Sequence, residues 1–376
     1  MHIREFQQRV WSRIRELAST PDSPESVTAA EQNRFASVLR YIFDLRNGQN
    51  AARVSATYLG FRVAAPSIHA TPTLVELAAA IEIANTSITY IEDKVIDDDR
   101  TDQRGREWTH AHYGLGVSTI LNSFVHFLSR RTLHNAIRAW TSESAPTRET
   151  LDWFLDEFEN IFRDANYGQF LDVSYGSQLL RTKLDEPVIS LDDPCDYVLS
   201  DHINELRTGQ FVQRAAEFGA VLGGLAHNSE SHRVLRCAMR LAGICVQDLN
   251  DLQDFVPAEG FPGSIGKDLL LLKKTFPVIW LIENAPTLPQ AEALFSSIQD
   301  PTIDRGDLIH RATELLVVHG VFDMAARRIA SRLDRATELL ASSFPNSANV
   351  VEEFFGAMSR RADSVTKQIN RRSEAA

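Results

Sequence analysis

Cysteine is scarce in this chain: three in 376 residues, at Cys195, Cys237 and Cys245. Their spacing fits neither a disulfide framework nor a zinc site, which excludes a disulfide-stapled scaffold and a zinc ribbon. Cys237 and Cys245 share one apolar helical run and are expected in the core. Basic charge is also short. Lys and Arg number 39 against 50 Asp and Glu, a net charge of −11, which argues against a nucleic-acid partner. Alternating apolar and polar runs are few, so little β-sheet is expected. No apolar stretch approaches the length of a membrane span. The start, Met1-His2-Ile3-Arg4-Glu5-Phe6, lacks the apolar core of a signal peptide, and a cytosolic protein is expected. No stretch rich in Gly, Ser or Pro separates two domains, and no repeat or low-complexity segment is present.

Helical periodicity is what fills the chain. Apolar faces run over 74–96, 115–128, 151–175, 197–225, 234–255, 275–283, 309–340 and 350–369. Pro, Gly, Ser and Asp gather at the breaks, 142–148, 182–194, 257–266, 284–289 and 344–348. Helices apolar on several faces imply mutual burial. The expected fold is therefore all-α, one large bundle over 1–376, with a helical lead-in at 1–44 and a disordered tail at 370–376.

Two acidic clusters end long apolar runs. The first is Ile91-Glu92-Asp93-Lys94-Val95-Ile96-Asp97-Asp98-Asp99, followed by Gln103-Arg104-Gly105. The second is Val246-Gln247-Asp248-Leu249-Asn250-Asp251-Leu252-Gln253-Asp254, followed by Gly266-Lys267 and Lys273-Lys274-Thr275. Asp93 and Asp97, four apart, share a helix face. Two such faces opposed across a cavity make an oxygen-rich cage for hard divalent cations. The basic residues alongside suggest an anion bridging the metals, and a diphosphate fits best. The plain alternative leaves Asp98, Asp99, Arg100 and Asp102 as a solvated helix end and one of Lys273 and Lys274 on the surface.

In order and spacing, these residues resemble the trans-isoprenyl diphosphate synthases, within the class I isoprenoid synthases. The resemblance takes in Glu92-Asp93 through Asp97, Arg104-Gly105, Gly168-Gln169-Phe170-Leu171-Asp172, Arg207-Thr208-Gly209, Gln247 to Asp254, and Lys267-Asp268 with Lys273-Lys274-Thr275-Phe276-Pro277. It implies magnesium ions, about three, held by Glu92, Asp93, Asp97, Asn250, Asp251 and Asp254 around an allylic prenyl diphosphate. Arg104, Gln169, Arg207, Thr208, Lys267 and Lys273 would add donors to the diphosphate oxygens. Ser87 and Ile88, at the positions that set chain length in the family, leave the pocket floor open for substrates of C15 or longer. A homodimer is expected.

The sequence also departs from the family. The basic motif that binds isopentenyl diphosphate aligns with Gly48-Gln49-Asn50-Ala51-Ala52-Arg53, a helical histidine of the same subsite with Asn85, and the first of two arginines with Gln103. These losses imply a terpene cyclase, or a prenyltransferase whose acceptor is not isopentenyl diphosphate. The alternatives are a chain-elongating synthase, with Arg53 or Arg62 rebuilding the subsite, and a non-catalytic regulatory subunit. Asn250 in the second cluster is intermediate between the elongating and cyclising patterns, and Glu259 is a candidate for the cyclase triad.

Overall fold

The computed structural model describes residues 1–21, 23–46, 51–102, 104–178, 198–256, 266–298, 300 and 302–375. Gln49, Asn50, Gln103, Cys195 and Glu259 lie outside the described residues. The chain forms two compact units, each drawn from three stretches. The first unit takes Met1–Arg163, Phe211–Met239 and Glu338–Phe354; the second takes Asp164–Gln210, Arg240–Thr337 and Phe355–Ala376. Among the described residues there is no strand, only an isolated bridge between Thr101 and Glu107.

Among the described residues, ten helical elements come first: α1 Ile3–Ser19, α2 Ala29–Arg46, α3 Ala52–Ala64, α4 Pro72–Asn85, the π-helix π1 Thr86–Glu92, α5 Asp93–Ile96, α6 Thr109–Tyr113, α7 Leu115–Ser144, α8 Arg148–Gln178 and α9 Val198–Asn204. A second π-helix follows, π2 Glu205–Gly209, then α10 Gln210–Leu222, α11 Glu230–Gln253, α12 Lys267–Leu270, α13 Phe276–Asn284, α14 Pro289–Ile298, α15 Arg305–Val318, α16 Val321–Ser343 and α17 Ala348–Ala375.

In the first unit α4 is the central helix. Thr71 caps it by accepting from the Leu74 N–H at 3.1 Å, and Pro72 supplies a preset φ in the first turn. Leu74, Leu77, Ile81 and Ile83 are buried together with Ala78, Ala79 and Ala80, so no polar face remains. α1, α3 and α7 pack around it. The continuous helix Pro72–Ile96 is in fact long and apolar enough to cross a membrane, contrary to the sequence expectation, but 78% of its apolar window is buried inside the protein. That burial marks a core helix. α3 and α10 cross through reciprocal glycines. A Cβ on Gly60 would sit 1.8 Å from the Ala216 carbonyl oxygen, and one on Gly219 would sit 1.9 Å from that of Thr57. Side chains there would drive the backbones apart.

The second unit is built on the C-terminal turns of α11 with α13 to α16. Leu249, Leu252, Leu269, Val278, Leu281, Leu308, Leu316 and Ile329 form its core. Phe255 meets Phe322 edge-on at 5.5 Å, and the Arg328 guanidinium lies over the Phe276 ring at 5.2 Å. The 309–340 run is two helices rather than one. His319 and Gly320, the glycine at φ +66°, separate α15 from α16. The 115–128 run extends to Ser144, and α17 runs through Ala375, over most of the stretch read as a tail. Cys237 is exposed, not core, whereas Cys245 is buried.

Candidate active site

The first acidic cluster belongs to the first unit. A π-helix widens the turn between α4 and α5, with i to i+5 hydrogen bonds where the apolar periodicity predicts an ordinary helix. In this wider turn Ser87 and Glu92 both reach Asn122 on α7. The Ser87 hydroxyl donates to Asn122 Oδ1 at 2.7 Å, and the Asn122 amide bonds the Glu92 carboxylate. Burial raises the Glu92 carboxyl above its ordinary range, the charge on Asp93 adds to this, and the Asn122 bond opposes it. Ser87 is buried and its hydroxyl is spent, so this part of the expected pocket floor is a filled polar contact. Ile88 beside it is half-buried.

Lys94 neutralises the cluster from within. Its ammonium lies 2.9 Å from Asp99 and 3.4 Å from Asp93. Burial works against its charge, but Asp93, Asp99 and Asp97 outweigh that and raise its pKa. Asp97 closes α5, its N–H bonded to the Asp93 carbonyl at 3.0 Å. The segment after it is only partly a solvated helix end. Asp98 is exposed, at φ +49°, but Asp99 is paired and Asp102 is buried. Asp102 accepts the N–H groups of Arg104 and Arg106, both at 2.9 Å, and the Arg106 guanidinium at 2.7 Å. Arg106 therefore carries the ion pair, while the Arg104 side chain is exposed.

The second cluster belongs to the second unit and is buried. Gly168 on α8 lets π2 come close: a Cβ there would lie 2.8 Å from the Arg207 backbone nitrogen. Arg207 donates to Asp172 Oδ2 at 2.8 Å, and Lys273 Nζ lies 3.5 Å from the same oxygen and 3.8 Å from Asp268. Thr208 donates to Gln247 at 2.7 Å, and Gln247 donates to Asp251 Oδ1 at 2.9 Å. Asp254 accepts the N–H groups of Lys267 at 3.2 Å and Asp268 at 2.9 Å, tying down the short α12. Burial, then the charge on Asp268, pushes the Asp251 and Asp254 carboxyls well above the ordinary range; Asp248 adds to this at Asp251. Asn250, by contrast, is exposed and accepts from Arg361 at 2.8 Å. Gln169 is buried, and its amide nitrogen has no hydrogen-bond partner.

Lys273 and Lys274 are both buried, correcting the expectation that one is on the surface. Burial lowers Lys274 to about 8, with Asp172 opposing, and its ammonium donates to the Leu272 carbonyl at 2.5 Å. The basic residues proposed to rebuild a second diphosphate site have other partners. Arg62 donates to Tyr58 at 3.2 Å and to the Pro66 carbonyl at 2.7 Å, and the Arg53 guanidinium is buried over Phe211 at 4.7 Å. Asn85 is buried, donating to Glu82 at 3.1 Å and accepting from Thr89 at 3.0 Å.

Among the described residues no three His, Cys, Asp or Glu side chains already stand as a metal-binding group. The chemistry of the donor set nevertheless fits a hard cation. Asp251 is buried and Asp254 half-buried, both crowded by Asp268, and a divalent ion would relieve both desolvation and mutual repulsion. The residues that sequence reasoning missed, Asn122, Asn204 and Arg361, are neutral or far along the chain from the motifs they serve, and no local spacing marks them.

An all-α fold with two polar motifs of this kind defines an isoprenoid-synthase-like protein. The polyprenyl synthetase family model matches residues 32–314, and the chain belongs to that family. It is 24% identical over 224 residues to a geranylgeranyl diphosphate synthase of Cyanophora paradoxa, covering 59% of this chain and 67% of that protein. It is 26% identical over 238 residues to the chloroplastic solanesyl-diphosphate synthase 2 of Oryza sativa subsp. japonica, covering 63% and 51%. The chain thus spans about half to two thirds of the length of these curated relatives. The fold is shared with the heptaprenyl diphosphate synthase of Staphylococcus aureus, at a TM-score of 0.72 and 15% identity over 96% of this chain and 98% of that one. It is shared equally with a geranylgeranyl pyrophosphate synthase of Corynebacterium glutamicum, complexed with isoprenyl diphosphate and magnesium, at 0.72 and 18% over 98% and 100%. The terpene cyclase option finds no support among these matches.

Proposed function

We propose that the protein is a magnesium-dependent prenyltransferase that extends an allylic prenyl diphosphate with isopentenyl diphosphate and releases diphosphate. The observation that carries this reading is the family match over residues 32–314, together with relatives named as prenyl diphosphate synthases. It favours the elongating alternative of the sequence reading over the cyclase. Asp93, Asp97 and Asp251 are the proposed principal metal ligands, with Glu92 and Asp254 beside them. Asn250 is the weakest member of the set, since Arg361 already holds its carbonyl.

When bound, the metal ions supply Lewis-acid neutralisation of the departing diphosphate. The chain's own residues do the rest. Arg207 and Lys273, gathered on Asp172, present charge-assisted donors to diphosphate oxygens. The Gln169 amide adds a neutral donor, Thr208 spends its hydroxyl hydrogen on Gln247, and Lys267 follows the Asp254 cap. Buried surroundings at π2 and α11 keep water from the ionised substrate. The chain length expected is C15 or longer, and the assembly expected is a homodimer.

One set of contacts favours the second reading, transfer to a different acceptor. Arg62, a candidate to rebuild a second diphosphate subsite, is committed to protein partners, and so is Asn85, which stands where the subsite's histidine is expected. The deciding experiment supplies geranyl, farnesyl and geranylgeranyl diphosphates with magnesium, with and without isopentenyl diphosphate, followed by product analysis. The expected result is a longer prenyl diphosphate that forms only when isopentenyl diphosphate is present. Release of diphosphate at the same rate without it would sink the elongating reading.

A further inference from the structure

Asp248 is a buried carboxylate in the second cluster that serves none of the roles assigned above. It accepts from Arg332 Nη1 at 2.7 Å and from the Asn204 amide at 2.9 Å. Arg332 turns its other terminal nitrogen to Asp201 Oδ2 at 2.6 Å. Arg328, one turn earlier on α16, pairs with the other oxygen of Asp201. The Asn204 amide also reaches Asp251 Oδ2 at 3.3 Å. Asn204 and Asp251 are buried as well.

The consequence lies in how Asp251 is held. Its two oxygens take one donor each, Gln247 on Oδ1 and Asn204 on Oδ2, which fixes the plane of the carboxylate. Gln247 is oriented by Thr208, and Asn204 by Asp248. Asp248 is oriented in turn by Arg332. An amide nitrogen has two hydrogens, and here each faces a different buried carboxylate, so rotating Asn204 would strip a donor from both. The guanidinium is a rigid fork, so it pins Asp248 and Asp201 together as an ammonium does not. Arg328 and Arg332 both lie beyond residue 314, where the family match ends.

We propose that Asn204 and Arg332 are positioning residues that, through Asp248, set the orientation of Asp251 toward a divalent metal. The inference rests on the reading of Asp251 as a metal ligand. The test uses the full chain with Mg²⁺ and inorganic pyrophosphate in calorimetry, and Mn²⁺ with pyrophosphate in electron paramagnetic resonance. Asn204→Ala leaves no new unpaired cation, and Arg332→Lys keeps the charge while losing the fork. Metal–pyrophosphate affinity is expected to fall about tenfold in Asn204→Ala and less in Arg332→Lys, as for supports behind a ligand. The Mn²⁺ spectrum should broaden in both, and neither change should add to Asp251→Asn. Native affinity and an unaltered Mn²⁺ spectrum in either folded variant would overturn the brace, as would a loss that persists in the Asp251→Asn background. If Asp251→Asn itself binds normally, the ligand assignment falls, and the brace falls with it.

Discussion

The two acidic clusters are neutralised by opposite means. The first sits where a helix ends, half-exposed, and carries its cation one residue away in Lys94. The second sits on the buried face of α11 and draws its cations from distant parts of the chain, with Arg332 84 residues from Asp248. Local neutralisation costs little ordering, because Lys94 cannot stray from Asp93. Remote neutralisation exists only once the helices are packed, and until metal binds it leaves Asp251 and Asp254 poorly compensated. The first cluster is thus stable in itself, and the second depends on its surroundings and on its ligand.

The largest expected effect removes one carboxylate from each cluster. Asp251→Asn and Asp93→Asn should each cut turnover about a thousandfold while circular dichroism shows an intact fold. The comparison enters through stability: Asp251→Asn should raise the metal-free melting temperature at pH 8, and Asp93→Asn, which removes one of the carboxylates paired with Lys94, should lower it. Equal shifts of the same sign would erase the contrast.

Next comes pH. A carboxyl whose folded pKa is raised keeps its proton where the unfolded chain has already lost it. The native state then binds more protons, and stability falls as pH rises above about 4, the ordinary carboxylate value. Asp251 and Asp254 should therefore make the metal-free protein less stable at pH 8 than at pH 5. Magnesium with pyrophosphate should reverse the slope, as read by melting curves in both conditions.

A control lies outside either cluster. Glu217 is buried in the first unit and pushed up to about 7 by burial, with His232, lowered to about 4 by burial, 3.4 Å away. The raised Glu217 loses stability as pH climbs from 4.5 to about 7. The lowered His232 gains it between about 4 and 6.5, so the two largely cancel until the histidine is spent. Glu217→Gln should stabilise the protein at pH 8 by about 2 kcal/mol relative to pH 5. Urea denaturation should give the same gain with and without magnesium, unlike the response at Asp251. The smallest effect is Lys94→Gln. It should destabilise the metal-free protein by about 1 kcal/mol, with magnesium restoring most of that loss. If magnesium restores nothing, Asp93 is not where it acts.

Much of this was legible in the residues. Leu74 to Ala84 is apolar but for Glu76 and Glu82, which made a central helix legible, and the acidic motifs announced themselves by type and spacing. Three things were not legible. The π turns at 86–92 and 205–209 span too few residues for a change of period to show in the apolar pattern. The burial of both Lys273 and Lys274 depends on Leu272, at φ +55°, turning the chain so that adjacent side chains both point inward. The partners of Asp248 and Asn250 come from α16 and α17, and long-range pairing leaves no periodic trace.

The widened turn ahead of the first cluster makes residue count, rather than residue type, the quantity that matters between Thr86 and Glu92. Winding the same seven residues at the ordinary helical pitch would rotate everything downstream by about 100°. Asp93, Lys94 and Asp97 would keep their identities and their mutual spacing, and would face the wrong way. Closing the widened turn at constant length should therefore be rejected, whereas losing one residue together with the widening should keep the acidic face where it is.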